Sequence, residues 1–230
     1  MNIAVILSGC GLYDGSEIHE ATFSLLAIEE NQASYACFAP DKEQYHVVDH
    51  ISGEATAEKR NVLQESARIA RGKIQPITSL NVNEYDGLVI PGGFGAAKNL
   101  NQWAISGPEG EIDPTVKNTI ISFVESKKPI VGLCMGPTVI AQALQEHTQG
   151  IELTVGSSKQ SSPYDIEAIN NGLASIAAVP IEKSITEIHV DSNYKIITAP
   201  CYMMYAGVYE VRLNVKQAID KLIYLITNES

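Results

Sequence analysis

"PIVGLCMGPTVIAQAL", residues 129–144, is the stretch whose reading decides the fold. Its first half is a short, continuous apolar run of the kind that suits a parallel strand buried on both faces. Its second half is opened by Gly136-Pro137 and is rich in Ala and Leu, so it predicts a helix. Cys134 stands at the seam. A cysteine in that place has two readings. It is either a small core hydrophobe or a nucleophile on a tight strand-to-helix turn, with the helix N-terminus and the Met135 and Gly136 amides lowering its pKa.

The same alternation extends in both directions. Ile3–Leu7 predicts a first buried strand and 16–31 a helix with Ile18, Ala21, Leu25 and Ile28 on one face. A second strand follows at 34–40, a helix at 61–72, and a third central strand within "DGLVIPGG", 86–93. Asp113 and Pro114 read as N-cap and first position of a helix that ends at Lys127-Lys128. Beyond residue 150 come "IELTVG", a helical "YDIEAINNG", "ASIAAVP", a hairpin turning at Asp191-Ser192-Asn193, and a long helix over 208–226. Strands alternating with helices predict an α/β fold, a mostly parallel sheet with helices on both faces. No repeat or linker divides the chain, so a single domain over 1–230 is expected.

Ligands of such sheets bind beyond the carboxyl ends of the strands. Three strand ends are chemically unusual: "SGCGLYDGSE" after the first, "PGGFGAAKN" after the third, and "CMGP" after "PIVGL". Gly92 and Gly93 let backbone approach a ligand closely. With the Met135 amide, they are candidates for an oxyanion hole beside Cys134. Glu17 has two readings as well. It closes a capping box with Asp14 as N-cap, or it is the acid–base group near the thiol, its pKa raised by apolar neighbours. His19 projects to another side of the same helix and reads as a satisfied or exposed histidine. The glycines of "SGCGLYDG" form only a loose dinucleotide fingerprint.

The 230 residues carry a net charge of −11, and their basic residues are scattered, which argues against nucleic acid or an anionic membrane as partner. Four widely spaced cysteines, with no CxxC pair, predict a reduced, cytoplasmic protein and no metal site.

"ILSGCGLYDGSEIHEA", "CFAPDK", "SGEATAEKRNVLQESARIARG", "VIPGGFGAAKNL" and "ITAPCYM" resemble the ElbB group of the PfpI superfamily, whose members share the class I glutamine amidotransferase-like fold, flavodoxin-like with a nucleophile elbow. That group is named for isoprenoid biosynthesis and described as glyoxalases. The resemblance implies Cys134 as nucleophile, Glu17 as the acidic partner of the thiolate, and Gly93 and Met135 as oxyanion-hole amides. It further implies a homodimer that needs no cofactor or metal and acts on a small dicarbonyl substrate. This sequence departs from the wider superfamily at three places. Met135 follows the cysteine where protease-like members have histidine, "APCYMM" replaces a glutaminase His-x-Glu, and "LTVGSS" lacks the histidine common in glyoxalases and deglycases. The expected activity is therefore a cofactor-independent glyoxalase of lyase type, with a redox-sensing or regulatory protein, linked to isoprenoid biosynthesis, as the alternative.

Overall fold

A computed structural model of the chain describes residues 1–148 and 150–228. The elements in order are β1 (Asn2–Ile6), α1 (Ile18–Glu30), β2 (Ser34–Ala39), α2 (Val62–Ile69), β3 (Ile74–Pro76), β4 (Gly87–Ile90), α3 (Trp103–Ser106), α4 (Pro114–Glu125), β5 (Ile130–Leu133), α5 (Gly136–Leu144), β6 (Glu152–Leu153), α6 (Ile166–Ser175), β7 (Val179–Pro180), β8 (His189–Asp191), β9 (Ile196–Ala199) and α7 (Val208–Asn228). Seven strands form one sheet in the order β3-β2-β1-β4-β5-β9-β8, and only the edge strand β8 runs antiparallel, against β9. β6 and β7 pair as a separate two-stranded ribbon.

The apolar runs of the sequence become the four central strands. β1, β4, β5 and β9 are almost wholly inaccessible to water, because α1 and α7 pack against each other beside them while α4 and α5 cover the other side. Asp113 caps α4 as predicted, accepting from the Thr115 and Val116 amides, and Pro114 occupies the first helical position. β1, β4 and β5 are neighbours in parallel register. Their three chemically unusual ends therefore open on one crevice, at the place where the strand order reverses.

Several local expectations are corrected. Asp14 does not cap α1. The chain first folds a tight loop, Gly15 N–H donating to Gly11 C=O at 2.8 Å, and the helix begins later with Glu17 as its N-cap. Asp14 instead accepts from the Val48 amide at 2.7 Å. Ile18, expected on the buried face, is exposed. β3 escapes the periodicity because it is a three-residue edge strand closed by Pro76. "IELTVG" and "ASIAAVP" supply only two paired residues each.

Gly136 opens α5 directly against β4. A Cβ placed there would lie 2.5 Å from the Ile90 carbonyl oxygen. Gly136→Ala is expected to lower stability by about 1–3 kcal/mol, the cost of overpacking a rigid contact. A thermal melt unchanged from wild type would contradict the closeness of this packing.

Candidate active site

The turn from β5 into α5 places Cys134 in the left-handed region, with φ +55°. A side chain pays about 1–2 kcal/mol to stand there, and the turn aims it at the crevice. Helix α5 starts two residues later, so its unsatisfied N-terminal amides lie behind the sulfur. Neighbouring glycines make room. A Cβ on Gly92 would sit 2.4 Å from the Cys134 Cβ, and one on Gly93 would sit 2.4 Å from the Glu17 nitrogen. Gly93 has φ +90°, which a side chain rarely adopts.

The carboxyl that meets the thiol is Glu20, one helical turn beyond Glu17. Glu20 is fully buried. Its Oε2 accepts from the Gly92 amide at 2.9 Å and its Oε1 from the Tyr202 amide at 3.4 Å, and Oε2 and the Cys134 Cβ crowd the same point, 2.7 and 2.4 Å from where a Cβ on Gly92 would lie. The ends of β4, β5 and β9 thus converge on one carboxyl. Glu17 holds that group in place. Its Oε2 accepts from the Glu20 amide at 2.7 Å, and its Oε1 lies 3.8 Å from the His19 ring nitrogen. The Cys134 side chain thus faces Glu20 where direct pairing with Glu17 was expected, and the expected capping box with Asp14 gives way to Glu17 itself as N-cap.

Burial raises every acid in this group. It pushes Glu20 up to about 8, with the Glu17 charge adding to the shift and the Gly92, Tyr202 and Cys134 hydrogen bonds opposing it. Burial also lifts Glu17, against the Glu20 amide and His19. It lifts Cys134 well above the ordinary thiol range, helped by Glu20, while the Gly93 amide pulls the other way. A thiolate at rest, expected from the helix N-terminus, is thus not favoured, because desolvation outweighs the amides.

Two cavities meet here. An inner one of about 230 Å³ is lined by Cys134, Gly93, Met135 and Trp103, so the two expected oxyanion-hole residues share a space with the thiol. An outer one of about 630 Å³ is lined by Glu17, His19, Tyr202 and Lys98. Leu12, Phe94 and Tyr164 line both. His19 donates to or accepts from the Tyr202 hydroxyl at 2.8 Å and faces the outer cavity, away from the sulfur. Trp103 and Tyr164 carry no motif in the sequence; a lone aromatic in a loop or short turn gives no periodic signal. Glu20 was not singled out in the sequence; its one signal there is its place one helical turn beyond Glu17. Cys201 is buried with φ +48° beside this group, and Cys10 is half-buried, outside both cavities. Among the described residues, no group of three or more His, Cys, Asp or Glu could hold a metal ion.

Comparison with known proteins agrees with this fold. The family model described as "Glutamine amidotransferase class-I" matches residues 55–219. The chain is 38% identical to the ES1 protein homolog, mitochondrial, of Rattus norvegicus over 97% of its length and 83% of that protein's. It is 37% identical to the human glutamine amidotransferase-like class 1 domain-containing protein 3, mitochondrial, over 97% and 82%. The crystal structure of an isoprenoid biosynthesis protein with amidotransferase-like domain from Ehrlichia chaffeensis matches with TM-score 0.88 and 35% identity, covering 97% of this chain and 98% of that one. The names of both curated relatives place those proteins in mitochondria, which overturns the cytoplasmic expectation. Unpaired cysteines report a reducing environment and not an address.

Two outcomes follow from the site itself. Glycine relieves the backbone strain at position 134 and alanine does not. Cys134→Gly is therefore expected to be more stable than Cys134→Ala by about 1 kcal/mol, the reverse of the usual order, and denaturant midpoints decide it. Glu20 gives the second. Its folded pKa lies near 8, above an unfolded value of about 4.3. Its contribution to stability is full below the unfolded value and is lost as pH rises through the folded one. The melting temperature of wild type relative to Glu20→Gln should fall between about pH 4.3 and 8. A difference independent of pH would show that Glu20 is not held protonated.

Proposed function

This chain belongs to the glutamine amidotransferase class-I family, and from that premise we propose that it is a cofactor-independent glyoxalase of lyase type, converting small 2-oxoaldehydes such as methylglyoxal or glyoxal to 2-hydroxy acids. The observation that carries this reading is the placement of the Cys134 side chain and the buried Glu20 carboxyl against the same point of Gly92, with the cysteine lining a cavity of about 230 Å³. A general base works best when its pKa lies near the working pH, and burial brings Glu20 to about 8.

In the proposed reaction, ionised Glu20 takes the thiol proton as sulfur attacks the aldehyde carbon. That proton passes to the new oxyanion and gives the hemithioacetal. The Gly93 and Met135 amides, which line the same cavity, are assigned to the developing negative charge on oxygen. Glu20 then removes the proton from the former aldehyde carbon, leaving an enediolate on sulfur, and returns it to the neighbouring carbon while the hydroxyl proton of the first carbon passes to the oxygen of the second. The product is a thioester of the 2-hydroxy acid. Water cleaves the thioester, releasing the acid and restoring the thiol. No net oxidation occurs, since one carbon is oxidised as its neighbour is reduced.

Glu17 is assigned as a positioning residue. It holds the Glu20 amide and its charge helps raise the Glu20 pKa. The groups acting most strongly on Cys134 are burial, two carboxyls and the Gly93 amide, with no histidine among them. This argues against glutamine hydrolysis through a Cys–His pair. A sensing role would need a thiolate at rest, the reverse of what burial imposes.

With methylglyoxal as substrate, kcat/KM is expected to rise with pH through an ionisation near 8. Glu20→Gln should lose that limb and fall by roughly 10²–10⁴-fold. Glu17→Gln should keep the limb but move it to lower pH. Full turnover by a folded Cys134→Ser protein, or none by wild type, would falsify the reading.

A further inference from the structure

The inner cavity alone is more than large enough for a molecule the size of methylglyoxal, which leaves the outer one unexplained. The two are joined through Leu12, Phe94 and Tyr164, so a single ligand can occupy both. The shared walls are aromatic: the Phe94 and Tyr164 rings meet edge to face at 5.9 Å, and Tyr13 lies 6.4 Å from Phe94. Such walls favour a planar, apolar stem.

At the far side of Phe94 stands Lys98. Its Nζ lies 5.2 Å from the Phe94 ring centroid and donates to the Tyr13 carbonyl at 2.9 Å. An ammonium has three donors, so two remain beyond that bond. Among the described residues no other lysine or arginine lines this cavity. The nearby Asp14 carboxylate accepts from the Val48 amide at 2.7 Å. Glu17 also lines the cavity, but on the His19 side.

We propose that the outer cavity is a second subsite that selects 2-oxoaldehydes bearing a planar stem and a terminal carboxylate, with the Lys98 ammonium as the carboxylate's partner. This rests on the glyoxalase reading for the reactive end and adds the chemistry of the tail. A single planar monoanion suits one ammonium that already spends a donor on Tyr13. A phosphate dianion would leave charge unmatched beside Asp14 and Glu17. Burial lowers the Lys98 pKa, and an arriving anion offsets that cost, so the subsite gains from the charge it lacks.

The test separates binding from turnover. In Cys134→Ser protein, 4-acetylbenzoate and acetophenone present the same stem with and without the carboxylate. Trp103, the single tryptophan of the chain, lines the inner cavity and reports occupancy by fluorescence. We expect 4-acetylbenzoate to bind at least tenfold more tightly. The preference should vanish in Lys98→Met and persist in Lys98→Arg, with Lys98→Gln standing in should the Met variant unfold. Equal binding of the two ketones, or a preference that survives Lys98→Met, overturns the subsite. Turnover is then compared for 4-carboxyphenylglyoxal and phenylglyoxal in wild type. A binding preference without turnover of either removes the glyoxalase reading and leaves the subsite standing. Turnover of both with equal kcat/KM removes the subsite and leaves the reading.

Discussion

A carboxyl without access to water sits where the sheet's central strands end, and much of the crevice is arranged around it. Glu20 belongs to the first turn of α1, yet its side chain reaches the loops after β4, β5 and β9 at once. An isolated buried carboxylate is costly. Here two backbone amides meet its oxygens, and protonation near neutral pH removes most of the charge. The arrangement fixes the relative positions of loops far apart in sequence. Replacing one partner leaves amides unpaired in the interior, which costs about 1–3 kcal/mol for each.

This constraint explains the unusual backbone around it. Two cysteines, Cys134 and Cys201, stand in the left-handed region at the ends of the adjacent strands β5 and β9. The two strands run in register, Leu133 beside Ala199, so both turns leave the sheet at one level. Such strain persists only where surrounding structure over-determines it. Here the surroundings are Gly92 and Gly93, which bring β4 backbone within contact of the Cys134 side chain and the Glu17 backbone. The loops after β1 and β4 are stitched directly, with Phe94 N–H donating to Leu12 C=O and Gly95 N–H to Gly15 C=O, both at 2.8 Å. Rigidity at the thiol therefore comes from backbone, while the cavity walls are side chains.

The central fold was legible because its strands are buried on both faces and so read as unbroken apolar runs. The order of the strands was legible only through the chemistry of their ends, which made sense if β1, β4 and β5 were neighbours. Short elements with one exposed side, β3 and the β6–β7 pair, gave no period to read. At the site, Cys134, Gly93 and Met135 come together in one cavity because each lies within three residues of a strand end, where position in sequence nearly fixes position in space. The acidic partner was misplaced by one turn. Glu17 and Glu20 are three apart and share a helix face, so spacing alone does not tell the cap from the group beneath it. The unexpected tight loop at Gly11–Ser16 shifts the helix start, and with it the carboxyl that points inward. Trp103, Tyr164 and Lys98 belong to loops and short turns whose approach to the cavity is set by tertiary packing.

Cysteine chemistry of the proposed kind normally recruits a histidine, because imidazole titrates near 6.5 without help. The groups acting most strongly on Cys134 include none. A carboxyl in water titrates more than two units below that value and is a weak base for a thiol. Burial changes this: with Glu17 nearby, it carries Glu20 to about 8, past the histidine range. The same burial raises the thiol, and the Glu20 charge adds to that shift, so on the proposed reading the proton leaves sulfur only as the sulfur adds to carbon. On this argument the missing histidine is no defect of the site, because desolvation has given a glutamate the histidine's task.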